Sequence, residues 1–507
     1  MDFYLTYEKK LPNLKSKFDV MAGYSWQHYY TEGDSWYSAY TPIDAKGAIS
    51  YDNQEFNEDL SNIEGNYYAN EHYIVSFFGR FNYSFDDRYL LTFTIRDDGS
   101  SRFNKDNRWG VFPSAALAWR ISQEEFMQSQ NLFSNMKLRL GWGKTGQQDI
   151  NQGDYPYLGT YSYSTNTASS YYRNGKWISL LKPNAFNESL QWKTTTTWNA
   201  GFDFGMFQDR LTASVDWYYR ETTDLINTEA KTPSGSNFSE YVVANIGSLT
   251  NTGVEITLGG VALSTKDWQL RLDANLAFNR NEITKLSSGA EDTDIRRFAA
   301  TSDGDGATTI KAHAVNNPAG MFFVFQQVYD ADGHPIEGAF IDRDESGSID
   351  EKDLYMFHNA DPKATFGVAA KLQYKKFDFS LAGHGSLGNW MYNGVAANSA
   401  ALAPENVYSS SALTNKTRFA FQTNWQKAQV LSDYYIQLAS FFRIDNMTLG
   451  YSFDKIFDKV GGRVYCTVQN PFVFTKYEGL DPEISSGIDN SFYPRPVTFL
   501  LGLNLNF

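Results

Sequence analysis

Apolar and polar residues alternate along much of this chain with the two-residue period of an extended strand. Tyr73, Val75, Phe77, Phe81, Tyr83 and Phe85 fall on one side, with Ser76, Arg80, Asn82 and Ser84 opposite. Asp86-Asp87-Arg88 reads as a tight turn, and Tyr89, Leu91, Phe93 and Ile95 run back against Thr92, Thr94 and Arg96 as the second strand of a hairpin. From Leu190 to Met206 every second residue is apolar or Thr, including Trp192, Trp198, Phe202 and Phe204, and the run is long enough to cross a bilayer obliquely. Gln208-Asp209-Arg210 predicts the next turn, followed by Leu211, Ala213, Val215, Trp217 and Tyr219. Trp268 to Phe278 and Phe366 to Tyr374 repeat the pattern. So does the last stretch, where Phe499, Leu501, Leu503, Leu505 and Phe507 share a face opposite Leu500, Gly502, Asn504 and Asn506. A terminal strand that finishes an apolar face on an aromatic residue is how a membrane barrel closes.

Such segments number about fifteen, and the connections between them alternate between short turns and long polar loops. Short turns are predicted near 86–88, 207–210, 263–267 and 374–377, and long loops near 33–70, 147–189, 284–363, 391–438 and 473–494. Traced back from Phe507, every long loop falls on one rim and every short turn on the other. The expected fold is therefore all-β: an antiparallel transmembrane β-barrel, about fifteen strands of an incomplete larger barrel, with long loops on one rim. The rival is a secreted multi-domain β-sandwich protein that binds carbohydrate, which would place long loops at both ends.

Composition narrows the class further. The 507 residues include 33 Tyr, 38 Phe and 12 Trp, yet the mean hydropathy is −0.46, so apolar and polar residues are finely interleaved. No window approaches the roughly eighteen unbroken apolar residues of a spanning helix. A net charge of −14 with no basic block excludes general nucleic-acid binding. Cys466 stands alone, so no intrachain disulfide or cysteine zinc site is expected. The first residues, Met1 to Tyr7, have neither the basic nor the apolar region of a signal peptide and read as a strand already under way. If the protein is exported, the expectation is that a longer protein supplies the missing signal.

One loop carries a chemical signal. Asp342-Arg343-Asp344-Glu345-Ser346-Gly347-Ser348-Ile349-Asp350-Glu351-Lys352-Asp353 places oxygen-bearing side chains at loop positions 1, 3, 5, 7, 9 and 12 (Asp342, Asp344, Ser346, Ser348, Asp350, Asp353), with Gly347 at position 6 for the sharp turn. That spacing lets oxygen ligands wrap a Ca²⁺ ion. Ser at position 5 and Asp in place of Glu at 12 depart from it, and the bland reading is a solvated acidic turn. The six histidines are scattered without zinc-site spacing. Asp97 and Asp98 read as turn residues and not as a glycosidase pair, and no nucleophile motif supports an enzyme. Trp36, Tyr37, Tyr40, Tyr155, Tyr157, Tyr171, Tyr172 and Trp177 fall in predicted long loops, where they suit stacking on a ligand or packing on a covering protein. A membrane-interface girdle accounts for them equally well.

Several motifs in order resemble the carboxy-terminal barrel of the SusC/RagA-type TonB-dependent transporters of the Bacteroidetes outer membrane. They include Asp97-Asp98-Gly99-Ser100-Ser101-Arg102-Phe103, Leu138-Arg139-Leu140-Gly141-Trp142-Gly143, Asn251-Thr252-Gly253-Val254-Glu255, Ser440-Phe441-Phe442-Arg443-Ile444 and Gly479-Leu480-Asp481-Pro482-Glu483. The resemblance covers nearly the whole chain. It implies an outer-membrane importer of large nutrients, glycans or peptides, embedded in outer-membrane lipid and covered by a SusD-like lipoprotein lid. Trp36, Tyr37 and Trp177 become candidate ligand or lid contacts, and similar acidic loops in the family favour structural Ca²⁺. Full transporters of this kind have about 22 strands and a plugged lumen. Residues 1–507 are accordingly expected to be the carboxy-terminal part of one, with the plug, the signal peptide and the contact with the TonB–ExbB–ExbD complex missing from this chain.

Overall fold

The computed structural model describes all residues except 38–63, 150–153, 164–169, 180, 232–240, 287–294, 301–308, 404–414, 457–459, 491–492 and 507. Fifteen strands form one sheet: β1 (Asp2–Leu11), β2 (Ser16–Tyr37), β3 (Glu64–Phe85), β4 (Tyr89–Ser100), β5 (Trp109–Arg120), β6 (Phe133–Gln147), β7 (Lys193–Met206), β8 (Leu211–Thr223), β9 (Ser248–Ser264), β10 (Trp268–Lys285), β11 (Ala364–Tyr374), β12 (Phe377–Leu387), β13 (Phe441–Ile456), β14 (Val460–Thr475) and β15 (Thr498–Asn506). Each strand pairs antiparallel with its neighbour in this sequence, so the sheet is an uninterrupted meander. Among the described residues β1 and β15 are its two open edges. A single sheet of this kind excludes the β-sandwich alternative.

Turn chemistry sets the register. Asp86 and Asp87 have φ of 50° and 53° and the Arg88 N–H donates to the Phe85 carbonyl at 3.0 Å, so the three residues between the paired Phe85 and Tyr89 turn through two left-handed positions whose twist matches that of the strands. The parity of the connections is as expected. The strand ends joined across 12–15, 86–88, 121–132, 207–210, 265–267, 375–376 and 457–459 lie on one rim, and those joined across 38–63, 101–108, 148–192, 224–247, 286–363, 388–440 and 476–497 lie on the other.

The two faces of the sheet differ in kind. Leu140, Ala200, Trp217, Val254 and Phe278 stand side by side across five strands, and this face is apolar and unshielded, with Trp198 and Leu272 about half exposed. Beside the short turns it ends in aromatic pairs: Phe85 with Tyr89, Tyr89 with Trp119, Trp268 with Tyr374 at 4.1 Å, and Phe377 with Tyr451 at 4.8 Å. The opposite face carries charge paired across strands. Arg139 on β6 reaches Asp203 on β7 at 2.7 Å and Asp216 on β8 at 2.9 Å. It lies flat over Gly201, where a Cβ would come within 2.4 Å of the Asp216 carboxylate. Arg463 on β14 forks onto Asp378 on β12 at 2.9 and 2.5 Å.

The large apolar core lies above the long-loop rim, not in the sheet. Ile310, Phe322, Val324, Tyr392, Trp425 and Tyr435, from connections 286–363 and 388–440, pack together fully buried. Among the described residues two short helices, Gly394–Ser399 and Arg418–Thr423, and a three-stranded sheet of Trp390–Asn393, Ile436–Leu438 and Ile488–Asp489 also belong to this cap.

Three expectations need correction. Residues 33–37 and 64–70, expected in a loop, belong to β2 and β3, which pair continuously from Ser16↔Phe85 to Tyr37↔Glu64. The pairing is made by backbone groups, which need no alternation of side chains. β7 begins at Lys193, and Leu190 and Trp192 leave the strand to be buried with Phe103 and Phe112. Asp97 and Asp98 lie on β4, not in a turn.

Candidate functional site

Two pockets open on the polar face toward the long-loop rim. The larger, of about 830 Å³, is bordered by Asn275 on β10, Thr365 on β11, His384 and Ser386 on β12, and Glu483 and Arg495 from the connection that precedes β15. Its wall is an ion-pair network. Arg443 on β13, opposite His384 in register, donates to Asp481 at 2.6 Å and to Glu483 at 3.1 Å. Arg495 reaches Glu483 at 2.8 Å and Asp481 at 3.5 Å. His384 lies 2.9 Å from Asp445 and 3.2 Å from Glu483.

These contacts join two stretches that the sequence presents separately, Ser440 to Ile444 and Gly479 to Glu483. In the same connection the Tyr477 hydroxyl donates to Asp489 at 2.9 Å. Burial, with the Asp489 charge beside it, pushes the phenol far above its ordinary range and keeps it a donor. Gly487 turns the chain at φ 70°, where a Cβ would come within 2.3 Å of that of Ala360. The result is a segment pinned at several points to the barrel wall and to the cap.

The second pocket, of about 490 Å³, lies among β2 to β6, with Gln27, Tyr29, Arg96, Asp98, Arg102 and Gln148 among its lining. Tyr29 stacks on His72 at 4.6 Å. Arg102 and His72 share Asp154, at 2.8 and 3.2 Å. Amides, guanidinium groups and carboxylates beside an aromatic face can hydrogen-bond a polar, uncharged chain and stack on its rings. Sequence reasoning missed both pockets because each draws on strands far apart along the chain.

The acidic loop gathers part of the expected ligand set. Carboxylate oxygens of Asp342, Asp344 and Asp353 lie within 4.8 Å of one another. Gly347 takes φ 85° with open space around its α-carbon, as the sharp turn at position 6 requires. Asp353 is fully buried and accepts from the backbone of Arg343 at 2.7 Å and Asp350 at 2.8 Å. Ser346 and Ser348 lie at the turn, bonded to each other, with the Ser346 hydroxyl 3.0 Å from the Ser348 carbonyl. Asp350 instead accepts from Lys352 N–H and caps the short helix Glu351–Asp353. A second group, Asp330, Asp332 and His334, is equally close but lies on the exposed surface; an Asp-x-Asp-x-His spacing was its only signal.

Trp36 and Tyr37 end β2, paired with Gly65 and Glu64, and Trp177 sits opposite Tyr172 in a hairpin of Ser170–Arg173 and Lys176–Ser179. Tyr40 lies outside the described residues. Tyr155 reaches across to the Glu71 carbonyl at 2.6 Å. On β15, Phe499, Leu501, Leu503 and Leu505 continue the apolar face in register with Val468, Cys466, Val464 and Gly462, while Phe507 lies outside the described residues.

Comparison with known proteins fits this geometry. The family model described as TonB dependent receptor-like, beta-barrel matches residues 2–471. TonB-dependent receptor SusC of Bacteroides thetaiotaomicron is 44% identical over all of this chain and 50% of its own length. TonB-dependent receptor P3 of Formosa agariphila is 28% identical over 99% of this chain and 52% of its own length. The structure of the RagAB peptide transporter superposes over 100% of this chain and 55% of the matched chain, with a TM-score of 0.78 at 23% identity, which shows a shared fold. The chain spans about half the length of the curated relatives it matches.

Proposed function

The chain belongs to the TonB-dependent receptor β-barrel family, and on that premise we propose that it is the wall and the extracellular loops of an outer-membrane importer of the SusC and RagA kind, one that takes up large nutrients, glycans or peptides. The observation that carries the reading is the two-faced sheet: an apolar face rimmed by aromatic pairs meets lipid, the charge-paired face lines the lumen, and all connections of more than twelve residues leave from one rim. In barrels of this class that rim is extracellular and the short turns are periplasmic. The two polar pockets then lie in the lumen near its outer mouth, where arriving substrate meets them first.

The open edges at β1 and β15 leave pairing groups that a membrane does not tolerate. Strands from the remaining part of the full-length protein satisfy them and close the barrel, and a plug in that part carries the link to the TonB–ExbB–ExbD complex. A SusD-like lipoprotein covers the loops, with Trp36, Tyr37 and Trp177 among its contacts or those of the substrate. Ca²⁺ bound by Asp342, Asp344 and Asp353, with Ser346, Ser348 and Asp350 around it, stiffens the loop between the cap and β11. No catalytic step is assigned to the chain.

Growth and uptake separate the two substrate classes. Cells lacking the full-length gene are supplied with fluorescent oligosaccharides or peptides, with and without a plasmid copy. Uptake restored by the copy for one class supports the import reading, and unchanged uptake of both contradicts it.

A further inference from the structure

On the apolar face, away from the lumen, the surface is furrowed in one place. Across β8 to β12 one row reads Leu211, Gly260, Leu272, Ala370, Leu381, and the row above it reads Ala213, Leu258, Ala274, Val368, Gly383. Large and small residues alternate both along and across the strands. Gly260, Ala274 and Ala370 form the floor of a groove of about 720 Å³ between the ridges of Leu258 and Leu272. Both ridge leucines are almost half exposed.

The groove runs toward the short-turn rim, where Arg210 borders it. Leu272 lies four residues along β10 from Trp268, whose ring packs on Tyr374 at the rim. Four strand residues span about 13 Å, so the groove occupies acyl-chain depth and Arg210 the head-group layer. Several cations of that rim have acidic partners: Lys375 faces Asp267, Lys376 faces Asp454, and Arg88 faces Asp86 and Glu124. Among the described residues Arg210 has none.

We infer that this groove is a site for one phospholipid of the periplasmic leaflet, its acyl chain lying over Gly260, Ala274 and Ala370 and its anionic phosphate group against Arg210. An acyl chain fits a furrow with no hydrogen-bonding side chain on its floor. A cation without an acid beside it, at head-group height, selects a negatively charged head group. A flat lipid-facing wall would offer neither. The inference rests on the apolar face meeting lipid.

The test is native mass spectrometry of the full-length protein purified in a non-ionic detergent and titrated with phosphatidylglycerol or phosphatidylethanolamine. The expected result is a one-lipid adduct favouring phosphatidylglycerol about tenfold. The adduct is lost in the groove-filling A274F/A370F variant, and Arg210→Gln retains it without the head-group preference. These side chains point into the bilayer, so the variants leave lumen and loops intact, and recovery of folded protein from the outer membrane checks this. An adduct that survives groove filling overturns the site, and equal affinity of the wild type for both lipids overturns the role of Arg210. A wild type that carries no lipid but is dimeric, with monomeric filled variants, assigns the groove to a second copy and also overturns the proposal. Quenching of Trp198 by brominated lipid in the same samples reports separately on whether this face meets the bilayer.

Discussion

The guanidinium of Arg443 lies 2.6 Å from the Asp481 carboxylate, with both side chains at most 5% exposed. Arg443 belongs to the barrel wall and Asp481 to the last long connection, so this buried pair fixes loop to wall. Removing one partner of such a pair leaves the other charged and unsolvated, at a cost of about 3–5 kcal/mol, whereas replacing both can be nearly neutral. Arg443→Met is therefore expected to loosen residues 476–497. Limited proteolysis should show new cleavage there, and adding Asp481→Asn should restore most of the protection. Equal cleavage in wild type and Arg443→Met would remove the latch.

The acidic loop is expected to respond to acid in a definite direction. Backbone N–H groups of Asp350 and Arg343 hold the Asp353 carboxyl below its ordinary value of 3.8. A depressed carboxylate stabilises the fold above its unfolded pKa, and that contribution disappears as pH falls through the folded value. Protection of the loop should thus be constant from neutral pH down to about 4 and decline below it. Asp353→Asn should lose this acid dependence. A wild-type loop whose protection changes between about pH 7 and 5 would contradict the assignment.

Calcium tests the same loop independently. Isothermal calorimetry of the full-length protein is expected to show one Ca²⁺ site that disappears in Asp342→Ala and weakens in Asp350→Ala. Asp342 and Asp353 face each other directly, whereas Asp350 is engaged in capping. Absence of heat in the wild type leaves the loop a plain acidic turn.

Gly201 is expected to tolerate no side chain. A Cβ there would come within 2.6 Å of the Arg139 guanidinium carbon, so Gly201→Val displaces Arg139 from Asp203 and Asp216. The loss is on the order of 1–3 kcal/mol. Urea unfolding in lipid bilayers measures it, and Gly205→Val provides a comparison at a site where Arg139 is not the neighbour.

The loop aromatics carry the prediction on transport. Trp36→Ala and Trp177→Ala, made singly and together in the full-length protein, are expected to reduce substrate uptake or retention of the lipoprotein lid severalfold. Wild-type behaviour of the double variant in both measurements assigns these residues to the membrane interface instead.

Much of the barrel was legible because a strand between lipid and water must alternate. Val215 and Trp217, alternating with Ser214 and Asp216, could be placed on their faces from spacing alone, and the parity of the loops followed from counting. Alternation misleads where something other than lipid covers the apolar residues: Leu190 and Trp192 continue the rhythm of β7 yet are buried by Phe103 and Phe112. It is silent where strands pair without alternating, as at the ends of β2 and β3. The acidic loop was readable because its oxygens are local. The Arg443 network was not, since Asp445, Asp481, Glu483, Arg495 and His384 come together only through the pairing of β12 with β13 and the fold of one connection.

The account stands on the claim that one face of the sheet meets lipid and the other a wet lumen. Spin labels at Leu500, Leu501, Leu503 and Asn504, placed one at a time as cysteines in a Cys466→Ser background of the full-length protein in bilayers, test it most directly. Oxygen should relax the labels at 501 and 503, and a water-soluble nickel chelate those at 500 and 504, even though Leu500 is itself apolar. Four labels equally accessible to the chelate would mean that β15 has water on both faces and that this sheet is not a membrane wall.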